Sequence, residues 1–254
     1  MPANRKASRS SVPRPSPYPH TLREQMSSVS TLRGLVPTSA IRPDDVVILV
    51  IGKTGSGMSN FINKLTGMQP EDGAGELFSR TKGIYAYESY RNGQRFIFVD
   101  TPGFNNQKIP QSEVFGAITR WLKETHQHSI KLTGVIYTHS VMDDRLSATD
   151  MQSFQLITRL CGNEAADRVR LVTTMWDQVE QSMAEEMQKK LVSGQWRSLI
   201  KAGARPERFN NTSEAAWNIV QGLGNTKKTL LIQKEPVTIC GRLKRWLGHS
   251  RVEG

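Results

Sequence analysis

The sequence is poor in cysteine and has no long apolar run. Only Cys161 and Cys240 occur in 254 residues, and they form no spaced pair. Neither a disulfide framework nor a cysteine-based zinc site is predicted, and a reducing, cytoplasmic compartment is expected. No segment approaches the about 18 consecutive apolar residues of a membrane-spanning helix, so none is predicted.

The middle of the chain also lacks net charge. The formal net charge is +11, but residues 1–43 carry +6 and residues 226–254 carry +5, which leaves residues 44–225 neutral. The high isoelectric point therefore describes the two ends of the chain rather than a basic binding domain. No nucleic-acid partner is expected.

Composition divides the chain into three parts. Residues 1–43 are rich in Ser, Pro and Arg and are predicted to be a disordered basic tail. A mitochondrial targeting segment is the alternative, but the prolines between positions 13 and 19 oppose the amphipathic helix that it needs. Residues 44–235 are predicted to form one domain.

Residues 236–254 form a basic amphipathic tail. Apolar residues recur near helical spacing between basic ones, at Ile239, Leu243, Trp246 and Leu247. Such a segment can lie on an anionic membrane. The alternative is a helix packed back on the domain, or a solvated tail.

The domain is organised around residues 46–67. Six consecutive apolar residues, 46–51, predict a strand buried on both faces, and helical spacing returns at Phe61, Ile62 and Leu65. A glycine-rich loop between strand and helix is the context of a phosphate-binding loop. The predicted nucleotide-binding residues are Gly52, Lys53, Thr54, Gly55, Ser56, Gly57, Met58, Ser59 and Asn60. The alternative is a glycine-rich turn that binds nothing.

One residue that this motif needs is missing. The pattern G-x-x-x-x-G-K-[ST] requires lysine where this chain has Met58, while Ser59 keeps the hydroxyl that can bind Mg²⁺. The lysine normally neutralises the β- and γ-phosphates, so its loss favours weak hydrolysis. Lys53 lies in the same loop and is a candidate to replace the charge.

A second group of residues follows a predicted hairpin. Strands at residues 84–90 and 95–99 flank an Asn92-Gly93 turn, and the second strand leads into Asp100-Thr101-Pro102-Gly103-Phe104. Asp100 can hold Mg²⁺, and the Gly103 N–H can contact a γ-phosphate. The alternative interpretation of this stretch is an ordinary turn.

The remaining pattern alternates helices and strands. Helices are predicted at residues 111–128, 149–160 and 179–192, and strands at 132–138, at 169–173 and from Phe209. His139, Asp143, Asp144 and Arg145 follow the strand at 132–138, where α/β sheets place ligands, and the alternative is a solvated turn.

The stretch after residue 173 concerns the nucleotide base. Thr174-Met175-Trp176-Asp177 supplies a carboxylate that can accept from guanine N1–H and N2–H₂, while adenine offers no matching donors. The alternative is that Asp177 caps the following helix. Small residues near Ala215 could let backbone N–H groups reach guanine O6.

The order of these motifs resembles that of a GTPase domain, in particular the septin-like and immune-associated (AIG1-type) GTPases. Residues 134–139, 160–162 and 172–177 are also similar to a group of fungal G domain-containing proteins. The resemblance covers about residues 46–235. It implies an α/β fold, a three-layer αβα P-loop NTPase domain with a mainly parallel six-stranded sheet.

The resemblance also implies roles for individual residues. Thr81 matches the switch threonine that binds Mg²⁺ in the GTP state, and Asp100 and Gly103 match the second switch. Asp177 matches the guanine-reading acid, with Met175 in place of the usual lysine. Phe104 stands where many such enzymes have a catalytic glutamine, which implies slow hydrolysis or help from a partner.

Three functions compete at this point. The first is a GTP-binding switch with GTP, GDP and Mg²⁺ as ligands, weak or absent GTPase activity, and a possible homodimer across the nucleotide face. The second is a pseudo-GTPase that acts as a protein-interaction module without hydrolysis, and Met58 favours it. The third is an ATP-dependent enzyme, against which the T-x-x-D stretch argues.

Overall fold

The computed structural model describes residues 34–68, 83–106, 109–143, 148–224 and 226–234. Seven strands lie in these ranges: β1 Leu35–Val36, β2 Val46–Gly52, β3 Tyr85–Arg91, β4 Gln94–Asp100, β5 Gly134–Ser140, β6 Val169–Thr174 and β7 Arg205–Arg208. The α-helices are α1 Met58–Thr66, α2 Gln111–Gln127, α3 Ala148–Cys161, α4 Gln181–Ser193, α5 Arg197–Lys201, α6 Ser213–Gln221 and α7 Leu231–Lys234. None of the helices described is long and apolar enough to cross a membrane.

The strands form one mixed sheet in the order β1-β3-β4-β2-β5-β6-β7. β4, β2, β5, β6 and β7 are parallel, while β3 is antiparallel to β1 and β4. Every residue of β2 is buried, as its run of apolar residues predicts for a central parallel strand.

Two apolar cores lie on opposite faces of this sheet. Successive residues of β2 alternate between them, so that Val47 and Leu49 belong to one core and Ile48 and Val50 to the other. Helices α2, α3 and α4 cover the first core, and α1 and α6 cover the second. The predicted three-layer αβα fold is therefore confirmed.

The sheet has one strand more than the six predicted. β1 pairs with β3 through Leu35 opposite Tyr87 and Val36 opposite Ala86, inside the stretch that composition assigned to the tail. Val36 and Ile41 are buried, so residues 34–43 pack on the sheet edge. Two paired residues carry no readable period, which explains why the prediction missed them.

The last strand also differs from its prediction. β7 comprises Arg205–Arg208 and ends before Phe209, which is buried and packs edge-on against Phe61 with ring centroids 5.1 Å apart. β7 has no apolar alternation and contains Pro206, which is tolerated because the strand lies at the sheet edge. The predicted strand from Phe209 was therefore wrong.

The fold places four strand ends together. The chain leaves β2 toward β3 and β4 on one side and later returns to β5 on the other, which makes β2 the point where strand order reverses. Ligands of open α/β sheets bind at such a point, beyond the carboxyl ends of the strands. The segments after β2, β4, β5 and β6 therefore line one candidate site.

Candidate functional site

The glycine loop joins β2 to α1 in a conformation that requires glycine. Gly55 and Gly57 have φ of 85° and 83°, and a Cβ on Gly52 would lie 2.3 Å from Thr138 Oγ1. Gly57 is the N-cap of α1, and no side chain caps this helix end. The first N–H groups of α1 are thus oriented toward the loop, as in an anion-binding helix N-terminus.

Two threonines hold the loop in place. Thr138 Oγ1 lies 2.6 Å from Ser56 Oγ, and Thr174 Oγ1 donates to the Ser56 carbonyl oxygen at 2.8 Å. Ser56 is consequently buried, and its own N–H donates to the Lys53 carbonyl oxygen. Thr174, predicted to bind the nucleotide, is thus placed as a residue that positions the loop.

The loop is joined to the stretch after β4. Phe104 N–H donates to the Gly52 carbonyl oxygen at 2.9 Å, and Thr54 N–H donates to the Phe104 carbonyl oxygen at 2.8 Å. Gly103 lies so close to Thr54 that a Cβ would be 2.7 Å from the Thr54 nitrogen. Phe104 itself is fully buried, so its ring packs in the core.

The predicted Mg²⁺ ligands are only partly described. Asp100 is buried at the carboxyl end of β4, opposite Val50 of β2, and Ser59 lies in the first turn of α1. One carboxylate and one hydroxyl, completed by water and phosphate oxygens, fit the way proteins bind Mg²⁺. Thr81 lies outside the described residues. Within those residues, no group of three or more His, Cys, Asp or Glu could hold a metal on its own.

Met58 is turned into the core. Its side chain is 8% exposed and belongs to the apolar cluster that α1 and α6 form on the sheet. The position that normally supplies the phosphate-binding ammonium therefore supplies packing instead, and positions 58–60 carry no positive charge.

Lys53 is held by two acids rather than placed over the loop. Its Nζ lies 3.3 Å from Asp143 Oδ2 and 3.4 Å from Asp150 Oδ1. Burial lowers the pKa of Lys53, but Asp143 and Asp150 outweigh it and leave the pKa raised. Lys53, the candidate to replace the missing lysine, is instead paired with these two acids, and its pairing with Asp150 of α3 was not predicted from the sequence.

His139 lies on the same side of the sheet. It is buried, neither ring nitrogen has a hydrogen-bond partner among the described residues, and its ring centroid is 6.2 Å from that of Trp196. Burial lowers the pKa of His139 against the opposing effect of Asp143 and Asp150. Asp144 and Arg145, singled out with it by sequence, lie outside the described residues.

The residue predicted to read the nucleotide base, Asp177, lies after β6. Asp177 is exposed in a 3-10 turn, Trp176–Gln178, and its Oδ2 accepts from Asn211 Nδ2 at 3.2 Å. Asn211 Oδ1 in turn accepts from Asn60 Nδ2 at 2.8 Å. The N-cap of α4 is Glu180, so the structure does not support the interpretation of Asp177 as a cap.

Asn211 was missed by the sequence analysis. It has a φ of 64°, a backbone conformation in which asparagine is enriched, and it connects the predicted residues Asn60 and Asp177. The signal that could have found it is the Asn-Asn pair at 210–211, just before a helix cap.

Met175 and Ala215 were also considered for contacts with the nucleotide base. Met175 has a φ of 62°, and its sulfur accepts from Ser140 Oγ at 3.2 Å, which fixes the thioether beside the strand ends. Ala215 lies inside α6, and its N–H donates to the cap residue Thr212 at 3.1 Å. The N–H that was predicted to reach guanine O6 is thus used by the helix cap.

The fold and the site together define a P-loop nucleotide-binding domain, in which a glycine loop lies beside an Asp-Thr-Pro-Gly stretch and a T-x-x-D stretch. The model of the AIG1 family matches residues 46–222, and the chain belongs to this family.

Known proteins agree with this fold. Toc33 from Arabidopsis thaliana, in complex with Mg²⁺ and GMPPNP, is similar with a TM-score of 0.52 and 15% identity, over 84% of this chain and 97% of that chain. Toc33 with GDP and Mg²⁺ gives a TM-score of 0.53 and 14% identity, over 83% and 93%. GTPase Der from Synechocystis sp. is 24% identical over 66% of this chain, which spans 36% of that relative's length.

Proposed function

We propose that this chain is a G-domain protein that binds GTP and GDP with Mg²⁺ and hydrolyses GTP weakly or not at all. The observation that carries the proposal is the exposed Asp177 after β6, oriented by Asn211 at the same sheet edge as the glycine loop. A carboxylate in this place pairs with the two N–H donors of guanine, and adenine would leave it unpaired.

The experiment measures nucleotide preference. GDP should displace a labelled guanine nucleotide far better than ADP, and Asp177→Asn should abolish this preference while improving binding of xanthosine diphosphate, whose 2-oxo group matches an amide donor. Asp44→Asn, an exposed acid at the opposite end of β2, is the control and should change neither. Equal affinity of the unmodified chain for GDP and ADP would disprove guanine recognition.

Weak hydrolysis is supported by two side chains. Met58 leaves the first turn of α1 without a cation, and Phe104 packs in the core and offers no group to orient water. Bound Mg²⁺ would stabilise charge on the phosphates. The chain's own groups would then act mainly by binding, through the N–H groups of α1, the Ser59 hydroxyl and the Gly103 N–H.

A pseudo-GTPase is the second candidate, and the pairing of Lys53 with Asp143 and Asp150 favours it. With Lys53 held there, no described residue of the loop brings a cation to the γ-phosphate. Single-turnover phosphate release separates the candidates, because a pseudo-GTPase would bind GTP and release no phosphate.

A homodimer across the nucleotide face belongs to the same proposal. One solved structure, similar at a TM-score of 0.56 and 15% identity over 74% of this chain and 86% of that chain, concerns the chloroplast translocon components atToc33 and psToc159, for whose GTPase activity dimerisation is important. Sedimentation velocity with GDP and with GMPPNP tests this, and a monomer in both states would reject it.

Three further proposals come from the sequence alone. They are a cytoplasmic location, contact of residues 236–254 with anionic membranes, and a place in the septin-like branch or the fungal group. The C-terminal tail lies outside the described residues. Liposome flotation of the chain with and without residues 236–254 tests the membrane contact, and equal partitioning would exclude it.

A further inference from the structure

A charge cluster beside the glycine loop has no part in the proposed nucleotide contacts. Lys53 is the only basic residue among positions 52–60, and it pairs with Asp143, just after β5, and Asp150, in the first turn of α3. Two carboxylates thus share the one ammonium of the loop. With all three groups ionised, these three described side chains sum to one negative charge.

The burial of these groups keeps the cluster together. The Asp150 side chain is 2% exposed, whereas those of Lys53 and Asp143 are 23% and 27% exposed. Lys53 contacts both carboxylates at once, so moving its ammonium toward a phosphate would break two ion pairs, one of them with a buried carboxylate. Lys53 therefore stays with the acids, and the loop meets an incoming nucleotide with no uncompensated positive side chain.

We propose that Asp143 and Asp150, the acid pair, weaken phosphate binding at the glycine loop and lower affinity more for each phosphate that a nucleotide carries. This inference rests on the proposed function, because it takes the loop to be a nucleotide site. A fixed negative charge repels an anion in proportion to the charge of that anion. GTP should therefore be disfavoured most, GDP less and GMP least.

The acid pair and Met58 act in the same direction. Met58 removes an attractive charge from the β- and γ-phosphates, and the acid pair neutralises the only cation left in the loop. Both effects favour nucleotides with fewer phosphates. Affinity for GTP relative to GDP should then depend on a residue that lies outside the motif, on the β5–α3 connection.

Asp143→Asn tests the inference, because it removes one charge from a partly exposed residue and keeps the size of the side chain. Affinities for GMP, GDP and GTP are measured by calorimetry with Mg²⁺ at about 0.05 M and about 0.5 M salt. We expect GTP binding to tighten by about 3- to 10-fold at low salt, GDP less and GMP least, with smaller changes at high salt.

Two further variants sharpen the experiment. Lys53→Met makes the cluster more negative and should weaken binding in the same order, with GTP affected most. Glu124→Gln changes the net charge equally at an exposed position near the C-terminal end of α2, and it should leave all three affinities unchanged.

The inference is overturned if Asp143→Asn changes all three affinities by one common factor, which is the result expected of a merely structural role. It is also overturned if Asp143→Asn binds no tighter, including the case in which neither protein binds. Failure of the proposed function looks different: GDP and ADP would bind equally, while the dependence on phosphate number could still be measured with either base.

Discussion

At position 58 the side chain and the loop around it have separate roles. The conformation of the loop depends on Gly52, Gly55 and Gly57 and on the hydroxyls of Thr138 and Thr174. None of these contacts involves the side chain of Met58, which packs in the apolar cluster between α1 and the sheet. The cradle of N–H groups therefore forms without the lysine, and the substitution should affect phosphate affinity far more than it affects the fold.

Met58→Lys should restore the missing charge. A lysine can leave its stem partly in the core and extend its ammonium to the phosphates, so GTP binding should tighten by about 10- to 100-fold, given about 1.5–3 kcal/mol for a charge-assisted hydrogen bond. The stability cost should stay below the about 2–5 kcal/mol of a full truncation. Calorimetric affinity and single-turnover phosphate release measure both effects.

Met58→Leu is the matched control for that change. It keeps an apolar side chain of similar volume in the same cluster, so it should leave both affinity and turnover unchanged and alter stability by less than about 1.5 kcal/mol. If the unmodified chain already hydrolyses GTP as fast as Met58→Lys, another group supplies the charge and the pseudo-GTPase candidate is excluded.

At the scale of elements, sequence patterns predicted what is local. The glycine loop, the Asn92-Gly93 turn with φ of 51° and 75°, and helices such as α2 follow from residue type and spacing within one stretch. Sequence patterns did not predict the ion pair and the two edge strands that depend on residues far away in the chain. Lys53 meets Asp143 from 90 residues away, and β1 and β7 exist because neighbouring strands offer edges.

The junction between the glycine loop and the stretch after β4 is sensitive to one methyl group. A Cβ on Gly103 would lie 2.6 Å from Thr54 Oγ1 and 2.7 Å from the Thr54 nitrogen, and backbone atoms cannot rotate away. Gly103→Ala should therefore separate the two segments, cost about 1–3 kcal/mol in unfolding free energy and weaken GTP binding. Urea unfolding and calorimetry measure the two losses.

Gly83→Ala serves as the control for that substitution. Among the described residues, the atoms nearest to a Cβ on Gly83 would be those of the Tyr85 ring at 3.8 Å, an ordinary van der Waals contact. Its stability and affinity should stay close to those of the unmodified chain. If Gly103→Ala behaves in the same way, the close approach of the two segments has no functional consequence.

At the scale of the whole molecule, the net positive charge belongs to the two ends of the sequence, residues 1–43 and 226–254. Residues 44–225 are neutral in sum, yet His139, Lys53 and Asp150 lie together on the α2–α4 side of the sheet. Of these three groups, His139 is the one whose ordinary pKa lies closest to neutral pH, so its protonation is the one expected to affect stability in mild acid.

His139 should make the protein less stable in mild acid. Burial lowers its pKa in the folded state; Asp143 and Asp150 oppose this shift and Lys53 adds to it. Above the unfolded-state pKa of about 6.5 both states hold a neutral ring and stability does not depend on this group. As the pH falls below that value the unfolded state takes up a proton first, so unfolding free energy should fall by up to about 1.4 kcal/mol per pH unit. Urea titrations between pH 7.5 and 5.5 measure this slope.

His139→Phe keeps an aromatic ring against Trp196 and should flatten the slope, whereas His128→Asn, at an exposed position, should leave it unchanged. An equal slope in His139→Phe and the unmodified chain would show that another group carries the acid sensitivity.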